Sequence, residues 1–424
     1  MLGTISIRNF KSIVKCKFEP KRFNVLIGAN GGGKSNLLEA LAFGLAAAGG
    51  TLENDSLVAR GLRLSSFNDM CSRFLESSTI KIDLTTTEGS TAKLQIKADT
   101  SGFNPRFEIT NSSIEPRPLL IATLSRPLAE EKPITRNQLR TLEALLTDES
   151  LSVTMEREGR NTFTLTCKFE VDDDEIIDDE EVQLTSEERV ELMKRALAAV
   201  KAAGQAADWV RFKDFTIYSP ERSALLRPRK DSSTPVGNLG EGTLELIQFL
   251  AKHRTPVFEQ LGKHLHTMDW FESIELNGNS DSQSEILLRD KYVSAAFSSR
   301  SANEGFLLLL FYFAIILSNE TPQIFAIENV DQTLNPRLCR RLAEELSNAL
   351  RTSGKQAFVT IHNPVFLDGL DFRENDVGLF IVKRDFDGHT IVRAVPRPER
   401  FSKGTQRLSQ AFIDGQIGGL PENF

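Results

Sequence analysis

The sequence predicts an α/β fold with a mixed sheet, an antiparallel β subdomain and a helical insertion. Three stretches carry that prediction. FNVLIGANGGGKSNLLEAL, from Phe23 to Leu41, reads as strand, glycine-rich turn and helix. Alternating apolar and polar runs between about 79 and 170 read as antiparallel strands. TSEERVELMKRALAAVKAAGQAADWV, from Thr185 to Val210, reads as a long amphipathic helix opened by a capping box, Thr185 to Glu188.

Taken in order, MLGTISIRNFKSI alternates like a strand and lacks the apolar core of a signal peptide. FNVLIG, Phe23 to Gly28, is apolar and partly β-branched, as a buried strand is. The helix after it runs from Ser35 to Ala48, with Leu37, Leu38, Leu41 and Ala42 at helical spacing. STIKIDLTTT, TAKLQIKA, FEIT and TFTLTCKFEV are the alternating runs, and a proline-rich loop, EPRPLLIATLSRPLAEEKP, interrupts them. DDDEIIDDEE, Asp172 to Glu181, reads as a solvated loop, with a docking surface for a basic partner as the alternative. Residues 238 to 272 read as further helix, and the core resumes after about 284. The expected division is therefore 1–170, an N-terminal lobe; 171–283, an acidic loop and helical insertion; and 284–424, a C-terminal lobe.

The turn carries the chemistry. Gly28, Gly33, Lys34 and Ser35 fit the phosphate-binding spacing G-x-x-x-x-G-K-[ST]. Glycines let backbone N–H groups close around phosphate oxygens, and the new helix aims its positive end at them. The residues expected at the nucleotide are Gly28, Asn30, Gly31, Gly32, Gly33, Lys34, Ser35 and Asn36. Lys34 reaches the β- and γ-phosphates, and the Ser35 hydroxyl holds Mg²⁺. A ligand-free glycine turn is the bland alternative, but it has no need of Lys-Ser at the helix start.

Composition narrows the classes. With 40% hydrophobic and 26% charged residues the chain reads as an ordinary soluble globular protein, and its length implies more than one core. A net charge of −7 argues against a generally basic nucleic-acid binder, leaving only local patches. Cys16, Cys71, Cys167 and Cys339 lack C-x-x-C spacing and read as reduced, buried thiols of a cytoplasmic protein. GFLLLLFYFAIIL, Gly305 to Leu317, is shorter than the roughly 17–25 residues that span a bilayer and reads as a buried helix.

A phosphate-binding turn needs a second strand whose acid holds the metal. PQIFAIENVDQTLNPRL supplies one: Ile324 to Ile327 is the apolar strand and Glu328 stands at its tip. In QAFVTIHNPVFLDGL another apolar strand, Ala357 to Ile361, ends in His362. Upstream of Glu328 lies SSRSANEG, leading into the buried helix.

That ordered set resembles the ABC-type P-loop ATPase heads of the RecF, SMC and OLD (overcoming lysogenization defect) group. In the resemblance Ser301, Ala302, Asn303 and Glu304 form the signature and Glu328-Asn329 ends the Walker B strand. Leu334 and Asn335 lie in the D-loop, and His362 is the switch histidine sensing the γ-phosphate. IRNFKSI, YSPERSALLR and the ending IGGLPENF also resemble the group. The resemblance implies ATP and Mg²⁺ as ligands, with Ser35 and Glu328 on the metal. It also implies a homodimer or larger homo-oligomer in which Ser301, Asn303 and Glu304 of one subunit cover the ATP of the other.

Two departures stand out. Ala302 and Asn303 replace signature glycines. Asn329 stands where the family has a catalytic glutamate, and an amide cannot act as general base. Asp331 is then the candidate for polarising water, and hydrolysis is expected to be slow or trigger-dependent. No second catalytic centre is apparent: DFDG, Asp385 to Gly388, reads as a hairpin turn between FIVKR and HTIVR.

A stand-alone ATPase of this type resembles the ATPase subunits of bacterial antiphage systems such as Septu and PARIS. That implies a separate nuclease or toxin effector held or released on infection, with a phage protein or DNA as trigger and no membrane partner. The competing reading is a RecF-like repair factor that clamps duplex DNA, with basic clusters such as RPRK and RPERFSK on the backbone.

Overall fold

The alternation within each central strand sorts the apolar residues into two layers. In a computed structural model, residues 1–63, 70–99, 211–229, 234–277, 285–396 and 407–419 are described continuously, with strands and single positions between 106 and 209. Phe23, Val25 and Ile27 point into one core while Leu26 points into the other. The same split holds for Phe325 and Ile327 against Ile324 and Ala326, and for Ala357 and Val359 against Phe358. Strands buried on both faces read as continuous apolar runs, as parallel strands do.

These strands form a six-stranded sheet, in the order Thr216–Tyr218, Ile324–Ile327, Gln356–Thr360, Phe23–Ile27, Val377–Arg384 and Thr390–Ala394. The first five are parallel and the last is antiparallel. One face is covered by the helices Thr243–His253, Thr255–Leu265, Glu304–Leu317 and Pro336–Ser353. Phe306 to Leu317 are all buried, so the apolar run is a core helix. Among the described residues no helix is long and apolar enough to cross a membrane.

The other face carries the helix Lys34–Ala48 and an antiparallel sheet ordered Ile13–Phe18, Leu2–Phe10, Ile80–Thr86, Thr91–Asp99 and Arg106–Ser112. The α/β class with mixed and antiparallel sheets is thus as expected. The strand Ile13–Phe18 was not anticipated; it pairs with Leu2–Phe10 through the tight turn that IRNFKSI makes. Gln356 ties the layers together, its side chain bonding both the N–H and the carbonyl of Leu2 (2.8 and 3.0 Å).

Elsewhere the helix expected up to residue 272 ends at Leu265, and Phe271–Asn277 pairs with Glu285–Asp290 as a hairpin. The capping box is present: Glu188 N–H donates to Thr185 Oγ1 and Thr185 N–H to the Glu188 carboxylate. Residues 172–180 of the acidic run, the proline-rich loop at 115–133 and most of the stretch expected as helix beyond Ala196 lie outside the described residues. Cys16, Cys71 and Cys339 are buried and free, and burial pushes their thiols up, to about 12 for Cys16 and about 11 for the other two.

Candidate functional site

The parallel strands all end at one edge, and there the phosphate-binding turn, the acid and the histidine meet. Strand Phe23–Ile27 runs into Gly28, and the helix begins after Gly33, which caps it in a left-handed conformation (φ 105). Both positions require glycine. A Cβ on Gly28 would lie 2.0 Å from the Val382 carbonyl oxygen, and one on Gly33 2.1 Å from Thr390 Oγ1. The turn is held from outside by three partners: Arg384 Nε donates to the Gly31 carbonyl (3.0 Å), Thr390 Oγ1 to that of Gly32 (3.2 Å), and Ala29 N–H to that of Gly419 (3.1 Å). Asn30 and Gly31 are exposed at its apex.

Lys34 Nζ donates to the carbonyls of Gly28 and Ala29, 2.7 and 3.1 Å away. Burial holds its pKa below the usual lysine value, opposed by the charges of Glu328 and Asp331. Ser35 is half-buried. The Asn36 side chain donates to Ser12 Oγ (2.6 Å).

The strand Ile324–Ile327 delivers Glu328, whose carboxylate accepts from Ser219 Oγ at 3.1 Å. Asn329 follows in a left-handed conformation (φ 52), which asparagine tolerates better than most residues. Its N–H donates to Thr360 Oγ1 (2.8 Å), and its Oδ1 lies 2.8 Å from His362 Nε2. His362 is exposed at the edge, one residue past Ile361.

Asp331 has a buried carboxylate that accepts from the backbone N–H groups of His362 (2.9 Å) and Asn363, and so holds the turn that carries His362. Two backbone donors presented by the turn before Pro364 favour a carboxylate there over any neutral group.

The residues expected as the signature lie at the start of the helix Glu304–Leu317. Ser301 is exposed at the end of the turn Ser299–Ser301, and Ala302 is buried. Asn303 caps the helix Glu304–Leu317, its Oδ1 accepting from Phe306 N–H at 2.8 Å. Arg222 donates to the carbonyls of Arg300 and Ala302 (3.4 Å each). Asn303 and Glu304 border a cleft of about 540 Å³ shared with Trp270, Asn335, Arg337 and Arg341.

Residues 1–232 match the AAA ATPase domain family. The chain belongs to that family. Residues 277–368, which hold Ser301–Glu304, the strand Ile324–Ile327 and His362, match a second family described as "AAA domain, putative AbiEii toxin, Type IV TA system". No curated protein matches the chain. Among solved structures, it is similar to an SMC head bound to the C-winged helix domain of ScpA (13% identity, 93% of this chain and 97% of that one, TM-score 0.48). It is also similar to the SMC head domain from Thermotoga maritima (11%, 93% and 98%, 0.41). A third is the Smc head domain from Pyrococcus furiosus, bound to the C-terminal domain of ScpA (12%, 93% and 96%, 0.46).

In this AAA ATPase several contributors to the edge escaped sequence reasoning. Ser219 lies in YSPERSALLR, a stretch noticed only for its likeness. Thr390 and Arg384 lie in a segment legible as a hairpin, but nothing in it announces that the hairpin buttresses the P-loop. Their signal is spatial: Val377–Arg384 is the direct neighbour of Phe23–Ile27.

Proposed function

We propose that this AAA ATPase binds Mg²⁺-ATP at the edge just described, hydrolyses it slowly, and serves as the ATPase subunit of an antiphage defence system. The residues fit that ligand. The turn packs against Val382 and Thr390 only because glycine stands at Gly28 and Gly33. Lys34 Nζ, resting on two carbonyls, is placed to move onto β- and γ-phosphate oxygens, and half-buried Ser35 and Glu328 are the metal's side. Bound Mg²⁺-ATP supplies the scissile phosphoanhydride; the chain's own part is to cradle the phosphates and orient a water. His362 senses the terminal phosphate, and Asp331 fixes the backbone on which it rides.

The single observation that carries this reading is Asn329. The P-loop, Glu328 and His362 meet at this edge, while the residue after Glu328 is an amide, 2.8 Å from His362, that cannot accept a proton. Such a site retains ATP longer than it turns it over. ATP then acts as a bridge: exposed Ser301, with Asn303 and Glu304 at the border of their cleft, covers the ATP of a second copy. The dimer, or a larger assembly of it, holds a separate nuclease or toxin effector and releases it when a phage trigger binds. The toxin–antitoxin description of the family matched by residues 277–368 supports this reading over a DNA-repair clamp.

The test is phage challenge of a bacterial host carrying the chain with its adjacent gene. Protection that disappears with Lys34→Ala is the expected result. Protection that survives Lys34→Ala, or none from the wild-type pair while the chain alone binds DNA in an ATP-dependent way, overturns the defence assignment.

A further inference from the structure

We propose that the turn Asp385–His389, together with Phe74, forms the nucleoside side of the P-loop site, where the purine base packs on exposed aromatic rings. The proposal rests on the ATP-binding reading above and names the residues that recognise the uncharged half of the nucleotide.

The sheet order sets the direction in which a nucleotide must lie. Strand Phe23–Ile27, which carries the P-loop, has Gln356–Thr360 on one side and Val377–Arg384 on the other. Everything suited to a terminal phosphate and its metal comes from the first side: His362 follows Gln356–Thr360, and Glu328 and Asn329 follow the strand beyond it. A nucleotide with its γ-phosphate toward Glu328 therefore extends its ribose and base toward the second side.

On that side the hairpin is fastened to the P-loop and to the N-terminal turn. Arg384 and Thr390 donate to the carbonyls of Gly31 and Gly32, and Thr390 N–H donates to the Ser12 carbonyl at 2.8 Å. Its tip therefore keeps a fixed position beside the phosphate cradle. At the tip, Phe386 is 97% exposed. The His389 ring meets Phe74 edge-on, with centroids 4.6 Å apart, and Phe74 is itself 47% exposed. Lys11 N–H holds the segment before Phe74 by donating to the Met70 carbonyl (2.7 Å). Two large apolar rings left in water next to a phosphate cradle are what a stacking surface needs.

The tip's charge agrees with this assignment. Asp385 Oδ1 accepts from the N–H groups of Asp387 and His389 (3.1 and 2.8 Å), which shapes the turn, and the Asp387 carboxylate projects into solvent. Two carboxylates repel phosphate, so the polyphosphate runs away from the tip. They also accept hydrogen bonds from ribose hydroxyls and an exocyclic amino group.

Calorimetric titration of the full chain with Mg²⁺-ATP and with Mg²⁺-tripolyphosphate tests the proposal. Wild type is expected to bind ATP more tightly than tripolyphosphate. The double variant Phe74→Ala, Phe386→Ala is expected to lose about tenfold in ATP affinity, as removal of base stacking does, with tripolyphosphate affinity unchanged. Phe74→Tyr with Phe386→Tyr, which keeps both rings, is expected to retain the ATP affinity. ATP affinity equal in wild type and the alanine variant, or an equal loss for both ligands, overturns the nucleoside-side assignment while the P-loop reading stands. Failure of wild type to bind either ligand overturns the P-loop reading itself.

Discussion

His362 Nε2 lies 2.8 Å from Asn329 Oδ1, joining the turn after strand Gln356–Thr360 to the residue that follows Glu328. The amide accepts or donates a hydrogen bond but cannot carry away the proton of an attacking water. This pair is why retention of ATP, and not brisk turnover, is the behaviour expected of the site.

Asn329→Glu supplies the missing base. Because general-base catalysis contributes about 10²–10⁴-fold where geometry is right, phosphate release under saturating ATP is expected to rise at least ~10-fold. The left-handed backbone at this position (φ 52) costs glutamate about 1 kcal/mol, which is too little to cancel that gain. An unchanged or lower rate contradicts the role given to Asn329.

Asp331→Ala leaves the N–H groups of His362 and Asn363 without their buried carboxylate. A loss of about 2–4 kcal/mol in urea unfolding is expected from removing charge-assisted bonds. If Asp331 acted only on water, stability would stay at the wild-type level and turnover alone would fall.

Two glycines of the P-loop separate close approach from conformation. Gly28→Ala places a methyl against the Val382 carbonyl, whereas a Cβ on Gly31 meets nothing within 4 Å and suffers only from φ 75. Gly28→Ala is expected to cost more than ~2 kcal/mol of stability and to abolish ATP binding; Gly31→Ala is expected to cost about 1 kcal/mol. Melting temperatures in the reverse order would contradict the packing of Val377–Arg384 on the turn.

Lys355 gives a pH dependence. Its Nζ is buried against the carbonyls of Ile315, Ser318 and Thr321, and burial lowers it from its ordinary 10.5 to about 7. Between those values the unfolded chain binds more protons than the folded one, so this group makes stability rise with pH, by at most about 1.4 kcal/mol per unit. Urea midpoints at pH 7 and pH 9 are expected to rise less steeply for Lys355→Met than for wild type. Parallel slopes would contradict the lowered ammonium.

The P-loop, Glu328 and His362 were legible in the sequence because each is local: a short motif, or a polar residue at the tip of an apolar run. Their meeting at one edge follows from the parallel pairing of those strands, which the structure supplies. The role of Asp331 was not legible, since its partners are backbone groups of His362 and Asn363, and backbone donors leave no mark in the sequence. The hairpin Val377–Ala394 was readable as a hairpin, yet its position beside the P-loop depends on sheet order, which periodicity does not encode. The early end of the helix at Leu265 was missed because the amphipathic pattern continues through Met268 and Trp270, which pack on the same core from a turn.

Sedimentation mass in the presence and absence of Mg²⁺-ATP tests the shared-site account most directly. For a 47.3 kDa chain the account predicts at least a doubled mass for wild type with ATP and for Glu328→Gln, and monomer for Lys34→Ala. A wild-type mass that stays at one chain at every ATP concentration, or one that is doubled equally in Lys34→Ala, would contradict it.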